Sequence, residues 1–192
     1  MNACRFSGKE PSIWWPETMT LEPWAKPRWM TAAIVWTGRE LRPEHQAFLR
    51  KLPLVRVEKG FTLVHSSPHE PGTWPYIFSI LEAVRGFRAL TGDVAFVGHS
   101  HFPVIFAQTE EGKIESLAAR ALVLNEGVRY IINVGSVGQP RDGDPRAAYG
   151  LFDGAPARYR LKRVAYDIPA AQRKIIQAGL PVSLAERLSR GA

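Results

Sequence analysis

The sequence predicts an α/β fold, and three short apolar runs are the main evidence. Residues 61–65, 94–98 and 130–134 are rich in β-branched and aromatic side chains, and turn residues follow each run. Such runs are typical of short buried strands. An amphipathic helical pattern over residues 74–90 separates the first two. Strands with a helix between them indicate an α/β domain, and 192 residues suit one such domain.

Residues 1–28 follow neither pattern. The segment is rich in proline and tryptophan, at Pro11, Pro16, Pro23, Pro27, Trp14, Trp15 and Trp24. Such dense prolines forbid a long helix and disfavour a central strand, whereas the aromatic content is not typical of disorder. We therefore divide the chain into an irregular arm, residues 1–28, that lies over some surface, and a domain, residues 29–192. The alternative is that the arm comes from an altered reading of an upstream gene region.

Two helices are expected at the start of the domain. The first covers residues 29–40, and Pro43 begins the second, at a position where proline is tolerated. The second helix ends before Pro53. Its inward residues are expected to be Ala47, Phe48 and Leu52.

A hairpin and a longer helix follow. Residues 54–58 alternate in polarity and are expected to pair with residues 61–65 through Lys59-Gly60, which is a hairpin signal. The helix at residues 74–90 is expected to direct its apolar side chains inward. These are Ile77, Ile80, Leu81, Val84 and Phe87.

The remaining predicted elements are strands and two closing helices. A strand at residues 104–108 leads to a turn at Glu111-Gly112. Two antiparallel pairs follow, residues 120–125 with 129–134 and residues 147–152 with 159–166. The helices cover residues 168–178 and 183–189.

Histidines follow two of the predicted strands directly. His99 and His101 come after the strand that ends at Gly98, and His65 ends the run at residues 61–65. Ligands collect outside the carboxyl ends of strands in open α/β sheets, and neutral imidazole binds zinc, iron, nickel and copper. The pattern therefore predicts that the three histidines share a pocket and bind metal. The alternative is a loop with surface histidines, because metal sites commonly need three or more ligands.

The segment after residue 134 predicts an anion site. Its Gly-Ser-Val-Gly turn offers backbone N–H groups that can face an anion. Arg141 follows, and arginine binds phosphate through two parallel hydrogen bonds. The alternative role for Arg141 is a salt bridge to Asp142 or Asp144.

Four other polar side chains are not expected to touch a ligand. Asn133 and Ser136 are expected to brace the loop in which they lie. His45 falls in a helical stretch, and His69 lies at a loop tip that imposes little geometry. We therefore interpret both histidines as bystanders.

Three motifs together resemble the calcineurin-like metallophosphoesterases. In chain order they are Leu63-Val-His-Ser-Ser-Pro68, Gly98-His-Ser-His101 and Asn133-Val-Gly-Ser-Val-Gly-Gln-Pro-Arg-Asp-Gly-Asp-Pro145. The likeness runs from about Ala32 to the C-terminus. It is strongest to the small bacterial branch of YfcE-like phosphodiesterases and diadenosine-tetraphosphatase-like proteins. The resemblance implies a four-layer αββα sandwich with mixed sheets.

The resemblance also implies metal chemistry. The histidines equivalent to His65 and His99 bind one ion in that family, and the histidine equivalent to His101 binds the other. The family uses divalent ions such as Mn, Fe, Zn or Ni to hydrolyse phosphodiesters or phosphomonoesters. Two ions about 3.5–4 Å apart hold the attacking and leaving oxygens of such a displacement.

The motifs that supply the amino half of that centre are absent from the sequence. The family carries Asp-x-His, a Gly-Asp whose aspartate bridges the metals, and Gly-Asn-His-Asp/Glu. Here the first aspartate is Asp93, and Asn2 is the only asparagine before Asn125. We therefore expect a truncated sandwich with at most one weakly bound ion, little or no hydrolysis by the isolated chain, and no residue in a catalytic role.

Truncation also predicts an exposed sheet edge. Without the family's first strands, the strand that ends at Gly98 is expected to lie at an edge with unpaired backbone groups. We expect either that the arm, a second copy of the chain or a complementing chain covers this edge, or that the protein folds poorly.

The amino-acid composition indicates the cellular compartment and the classes of partner. Lys plus Arg number 25 against 18 Asp plus Glu, and the excess is scattered, which indicates a basic surface suited to phosphate esters or nucleotides rather than to nucleic acid. The single Cys4 excludes an internal disulfide framework and favours a cytoplasmic location. No apolar stretch approaches the about 18 residues of a membrane helix.

Two classes of function stay open. The first is a hydrolase by family, which acts on phosphate esters if the absent ligands are supplied by another chain. The second is a non-catalytic fragment or a module that binds phosphate or nucleotide. Activity restored by a polypeptide that carries the absent motifs would favour the first.

Overall fold

Two mixed β-sheets form the framework of this computed structural model, which describes residues 4–6 and 28–192, with side chains from residue 32 onward. The helices are α1 Arg28–Glu40, α2 Pro43–Arg50, α3 Ile80–Ala89, α4 Ile168–Gln177 and α5 Val182–Arg190. The strands are β1 Cys4–Phe6, β2 Val55–Glu58, β3 Phe61–Val64, β4 Val94–Val97, β5 Val104–Gln108, β6 Ile114–Ala118, β7 Ala121–Val123, β8 Arg129–Asn133, β9 Ala147–Gly154 and β10 Ala157–Val164. The predicted α/β class is confirmed at this level.

The six-stranded sheet has the order β2-β3-β4-β8-β5-β6. Its three inner neighbours β3, β4 and β8 run parallel, whereas β2, β5 and β6 are antiparallel to the strands beside them. The predicted hairpin of β2 with β3 is confirmed. Because β3 and β4 are parallel neighbours, their carboxyl ends lie side by side.

The four-stranded sheet has the order β1-β9-β10-β7 and packs against one face of the larger sheet. The predicted pairing of β9 with β10 is confirmed. Successive side chains of a strand point to opposite faces, and β4 is buried on both. Phe96 packs with Tyr159 of the smaller sheet, whereas Ala95 and Val97 pack with Phe87 of α3. The larger sheet therefore lies between α3 and the smaller sheet.

The prediction that β4 lies at a sheet edge is wrong. It lies between β3 and β8, and the outer strands of this sheet are β2 and β6. Both neighbours of β4 come from the part of the chain after residue 60, so no further strand is needed to pair its backbone. A partner chain stays a prediction, without this edge as its basis.

The predicted hairpin of residues 120–125 with 129–134 is also wrong. β7 pairs with β10 in the smaller sheet, with Leu122 opposite Tyr159, while β8 lies between β4 and β5 in the larger one. The short link between β7 and β8 therefore passes from one sheet to the other. Adjacency along the chain favoured a hairpin, but apolar packing between the sheets separates the two strands.

α3 begins at Ile80, six residues later than predicted. A capping box fixes this start, because the Ser79 N–H donates to Oε2 of Glu82 at 2.8 Å. Residues 74–78 have no regular secondary structure instead, and Trp74 has a left-handed backbone. The helix is therefore shorter than its apolar pattern suggests.

In two helices the residues that are buried differ from those predicted. Leu81 of α3 and Phe48 of α2, both expected inward, are 66% and 56% exposed. The buried face of α3 carries Ala83, Gly86 and Phe87. The small residues on that face allow the helix to approach the sheet closely. Within the described chain, α2 buries no residue, and no helix is long and apolar enough to cross a membrane.

One part of the predicted arm has regular structure. β1 pairs parallel with β9, Cys4 opposite Gly150, at the edge of the smaller sheet. The expectation that the arm contains no regular element is therefore wrong for residues 4–6. Residues 7–27, which carry its tryptophans and prolines, lie outside the described residues.

Candidate functional site

His65 and His99 meet at the carboxyl ends of β3 and β4. The Gly98 N–H donates to the His65 carbonyl oxygen at 2.8 Å, which extends the contact between the strands past their last residues. Nε2 of His65 then lies 3.3 Å from Nδ1 of His99, and the ring centroids are 5.1 Å apart. Two of the three predicted ligands therefore lie in direct contact, and the charge of His101 also acts on His65.

The turn that carries His99 and His101 has a strained backbone. Both residues have a φ of 60°, and the Ser100 N–H donates to the Gly98 carbonyl at 2.6 Å across His99. A left-handed φ costs a residue with a side chain about 1–3 kcal/mol, and such residues cluster at functional sites. The surrounding contacts must therefore hold this turn in place.

Asn133 supplies these contacts. Its Nδ2 donates to the Gly98 carbonyl at 2.6 Å and to Ser100 Oγ at 2.8 Å, and its Oδ1 accepts from the Gly135 N–H at 2.9 Å. Ser136 Oγ, in the same loop, accepts from the Gln139 N–H at 3.0 Å. Both side chains are buried. The prediction that Asn133 and Ser136 brace the loop is confirmed.

His101 is oriented by a backbone carbonyl. Its Nδ1 lies 2.8 Å from the Gln139 carbonyl oxygen. Because a carbonyl can only accept, Nδ1 carries the proton in this hydrogen bond, and Nε2 of the neutral ring keeps its lone pair. Metal-ligating histidines are commonly held by such a bond at their second nitrogen.

Burial keeps His65 and His101 in the neutral form that binds metal. Desolvation is the main cause that lowers the pKa of His65 to about 3, and repulsion from His99 acts in the same direction. Desolvation, followed by the charge of Arg141, lowers the pKa of His101 to about 3. At neutral pH both rings therefore carry no charge.

Arg141 lies beside His101. Its backbone N–H donates to the His101 carbonyl at 3.1 Å, and its Nε is buried with no hydrogen-bond partner among the described residues. Within those residues it forms no salt bridge to Asp142 or Asp144, because these carboxylates pair with Arg163 and Arg146. The alternative role as a structural salt bridge is therefore not observed.

An aromatic group around the histidines was not predicted. The Trp74 ring centroid lies 5.2 Å from that of His65, and Tyr76 stacks on His99 at 4.2 Å with an interplanar angle of 15°. Trp74 also has a left-handed φ of 58°. The Ser79-x-x-Glu82 capping box is the sequence signal that starts the helix after this segment.

The two histidines interpreted as bystanders make other contacts. Nε2 of His45 lies 2.8 Å from Nη2 of Arg42 on the exposed surface of α2. Nε2 of His69 lies 3.9 Å from a carboxylate oxygen of Glu70. Both contacts are local to the exposed helix or loop.

The imidazole nitrogens of the three histidines are a poor ligand set for one metal ion, and they cannot form a dinuclear centre without further ligands. Two imidazole nitrogens on a tetrahedral zinc ion lie roughly 3.3–3.4 Å apart, which matches the 3.3 Å between His65 and His99. However, no three His, Cys, Asp or Glu side chains within residues 32–192 are grouped as a metal site. His65 and His99 thus form a half-site that lacks a carboxylate to offset the charge of an ion.

Comparison with known proteins extends this picture. No family model matches the chain. It is 41% identical over 164 residues to the uncharacterized protein MJ0912 of Methanocaldococcus jannaschii, an alignment that covers 83% of this chain and 65% of that protein. The chain therefore spans slightly less than two thirds of the length of that relative.

Two crystal structures have a similar fold. A metallophosphoesterase from Sphaerobacter thermophilus superposes with a TM-score of 0.76 at 39% identity, over 82% of this chain and 67% of that one. The hypothetical protein PH1004 from Pyrococcus horikoshii OT3 superposes with a TM-score of 0.67 over 88% of this chain and 62% of that one. Its identity is 20%, so this second likeness concerns the fold alone.

Proposed function

This chain belongs to the calcineurin-like metallophosphoesterase superfamily, and from that premise we propose that it supplies the histidine half of a phosphoesterase centre. The observation that carries the proposal is the 3.3 Å separation of His65 Nε2 and His99 Nδ1 at the ends of two parallel strands. Both rings sit where ligands collect in α/β sheets. The proposed substrates are phosphodiesters or phosphomonoesters.

In this proposal each side chain has a separate task. In a centre completed by another chain, His65 and His99 would hold one divalent ion, His101 would be a ligand of the second, and Arg141 would bind a phosphate oxygen. Divalent ions, when bound, polarise the phosphoryl group and make coordinated water more acidic. The three histidines are neutral donors, so the anionic ligands that a dinuclear centre needs must come from other residues.

We accordingly propose that the isolated chain has little or no hydrolytic activity. No carboxylate joins His65 and His99 in a metal-binding group within residues 32–192. A polypeptide that carries Asp-x-His, Gly-Asp and Gly-Asn-His motifs is proposed to complete the centre. In the complete centre His65, His99 and His101 keep their roles.

A second candidate function is a phosphate- or nucleotide-binding module without turnover. The observation in its favour is Arg141, whose buried Nε lacks a hydrogen-bond partner among the described residues. An arginine in this state is suited to bind an anion, because a buried donor that stays unsatisfied is costly. Binding of inorganic phosphate that depends on Arg141, with no hydrolysis under any condition, would favour this function.

The test measures metal content and hydrolysis on the same purified sample. Metal per chain is determined by elemental analysis after dialysis against Mn²⁺ or Zn²⁺, and hydrolysis with bis(p-nitrophenyl) phosphate and p-nitrophenyl phosphate. We expect at most one ion per chain and no turnover above that of His99→Ala. A polypeptide with the three absent motifs is expected to restore turnover to the wild-type chain and not to His99→Ala.

Two outcomes would contradict the proposal. The first is two tightly bound ions with diester cleavage by the isolated chain, which would mean that its own residues complete the centre. The second is an activity that His99→Ala and His65→Ala leave unchanged, which would place the chemistry elsewhere.

A further inference from the structure

Three aromatic residues occupy alternate positions in the segment without regular secondary structure before α3. They are Trp74, Tyr76 and Phe78, and Ile77 between them is 3% exposed and packs in the core under α3. Ile77 is therefore used for packing, whereas Trp74 and Tyr76 contact the histidines.

Tyr76 and Phe78 form a stack that begins at a proposed metal ligand. The Tyr76 ring lies 4.2 Å from His99 with an interplanar angle of 15°, and Phe78 lies 5.3 Å from Tyr76 at 25°. Both pairs of rings are near-parallel and stacked, and the 5.3 Å between Tyr76 and Phe78 is typical of an offset stack. The stack therefore runs from His99 through Tyr76 to Phe78 at the protein surface.

The outer ring of the stack is exposed. Phe78 is 56% exposed, whereas Phe87 and Phe106 in the core are 1% exposed. Its backbone is nevertheless fixed, because the Phe78 N–H donates to Glu82 Oε2 at 2.7 Å as an extension of the capping box. The ring is thus held at the surface by a rigid helix start, with part of its area available to another planar group.

We propose that Phe78, the outer ring of the stack on Tyr76, forms a ring-stacking subsite for the base of a nucleotide whose phosphate binds at the histidine pocket. The proposal rests on the proposed function, because it takes the phosphate to lie near His99 and Arg141. Stacking on aromatic side chains recognises any nucleobase through its flat face. The subsite therefore selects nucleotides over phosphate esters without a ring, and it prefers purines for their larger area.

A docked protein is the competing explanation for exposed Phe78. Ile80 and Leu81 beside it are 46% and 66% exposed, so the apolar area extends along the first turn of α3. The parallel stacking of Phe78 on Tyr76, continuous with His99, favours a planar ligand instead. A protein contact is treated below as an outcome of the test.

The test compares AMP, ribose 5-phosphate and adenosine by titration calorimetry on the full chain, with and without Mn²⁺. The variants are Phe78→Ala, Phe78→Trp and the matched control Phe48→Ala. Phe48 is an equally exposed phenylalanine on α2, with 56% of its surface accessible. Because Phe78 and Phe48 are both at the surface, neither substitution removes core packing.

The expected result is a ring preference that depends on Phe78. Wild type and Phe48→Ala bind AMP about tenfold or more tightly than ribose 5-phosphate. Phe78→Ala loses this preference and keeps its affinity for ribose 5-phosphate, whereas Phe78→Trp retains it. Size-exclusion chromatography of all variants is expected to give one elution volume.

Other outcomes separate the two proposals. Equal binding of AMP and ribose 5-phosphate by wild type overturns the subsite and leaves the phosphate site standing. Adenosine binding that needs Phe78, without binding of ribose 5-phosphate, overturns the phosphate site and leaves the ring subsite. Binding of none of the three overturns both, and a change of oligomeric state in Phe78→Ala with no change in AMP binding assigns the surface to a protein contact.

Discussion

Nδ2 of Asn133 lies 2.6 Å from the carbonyl oxygen of Gly98, so the end of β8 holds the backbone that enters the histidine turn. The same nitrogen also donates to Ser100 Oγ, one residue beyond His99. This buried amide is therefore what offsets the left-handed backbone at His99. It makes the geometry of the candidate site depend on a fully buried residue of β8.

Replacement of Asn133 by Ala is expected to lower the free energy of unfolding by about 2–4 kcal/mol. The substitution removes three hydrogen bonds and leaves their buried partners unsatisfied. Urea denaturation measures the loss, and the exposed Asn125→Ala is the control, expected to change stability by no more than about 0.5 kcal/mol. Equal effects of the two substitutions would show that the Asn133 hydrogen bonds do not stabilise the turn.

Gly150 is expected to tolerate no side chain. A Cβ at this position would lie 2.6 Å from Cε2 of Tyr159, a fully buried ring, and 3.1 Å from Cγ1 of Val134. We expect Gly150→Ala to cost about 1–3 kcal/mol, as overpacked cores do. Gly154 lies in the same strand with no atom within 4 Å of the corresponding Cβ. Its replacement by Ala is the control in thermal unfolding and is expected to be close to neutral; the reverse order of the two variants would contradict this packing.

The strand ends that carry the histidines could be predicted because local signals agree there. The run before His65 and the run before His99 are apolar and short, and turn residues follow both. In the structure these runs are β3 and β4, and their parallel pairing brings the two rings together. Because β4 is buried on both faces, its run is apolar at every position.

The aromatic stack could not be predicted from the periodicity alone. Trp74, Ile77 and Leu81 recur at helical spacing. The apolar pattern of α3 therefore continues into the segment before it, and the pattern alone does not show where the helix begins. The capping box at Ser79 decides this, because it starts the helix after the stack. Similarly, the chain order of β7 and β8 suggests a hairpin, whereas β7 pairs with β10 in the smaller sheet and Leu122 packs in the core between the two sheets.

The metal-free protein is expected to lose stability as the pH falls from about 6.5 toward 3. Unfolded His65 and His101 take up protons near their ordinary pKa of 6.5, whereas burial lowers their folded-state pKa to about 3. Between these values the unfolded state binds more protons, so protonation favours unfolding. Each histidine contributes up to about 1.4 kcal/mol per pH unit, and neither contributes above pH 6.5.

Urea unfolding between pH 7.5 and 5, in the presence of EDTA, measures this slope before most carboxylates titrate. His65→Gln is expected to reduce the pH dependence by roughly half, because one of the two linked groups is removed. The exposed His45→Gln is the control and is expected to retain the wild-type slope. A wild-type slope in His65→Gln would mean that the buried ring does not drive the effect.

Zinc titration of the purified chain is expected to reveal one weak site that requires both His65 and His99. Their nitrogens are 3.3 Å apart, which suits two ligands of one ion, and no carboxylate within residues 32–192 completes a three-ligand group with them. His65→Ala and His99→Ala are each expected to weaken binding more than about tenfold, since either change leaves a single imidazole. His69→Ala is the matched control, because this histidine lies beside Glu70 on the neighbouring loop. Calorimetry that finds two tight equivalents in the wild type, or an equal loss in His69→Ala, would move the metal away from the His65–His99 pair and remove the chemical basis for the assigned centre.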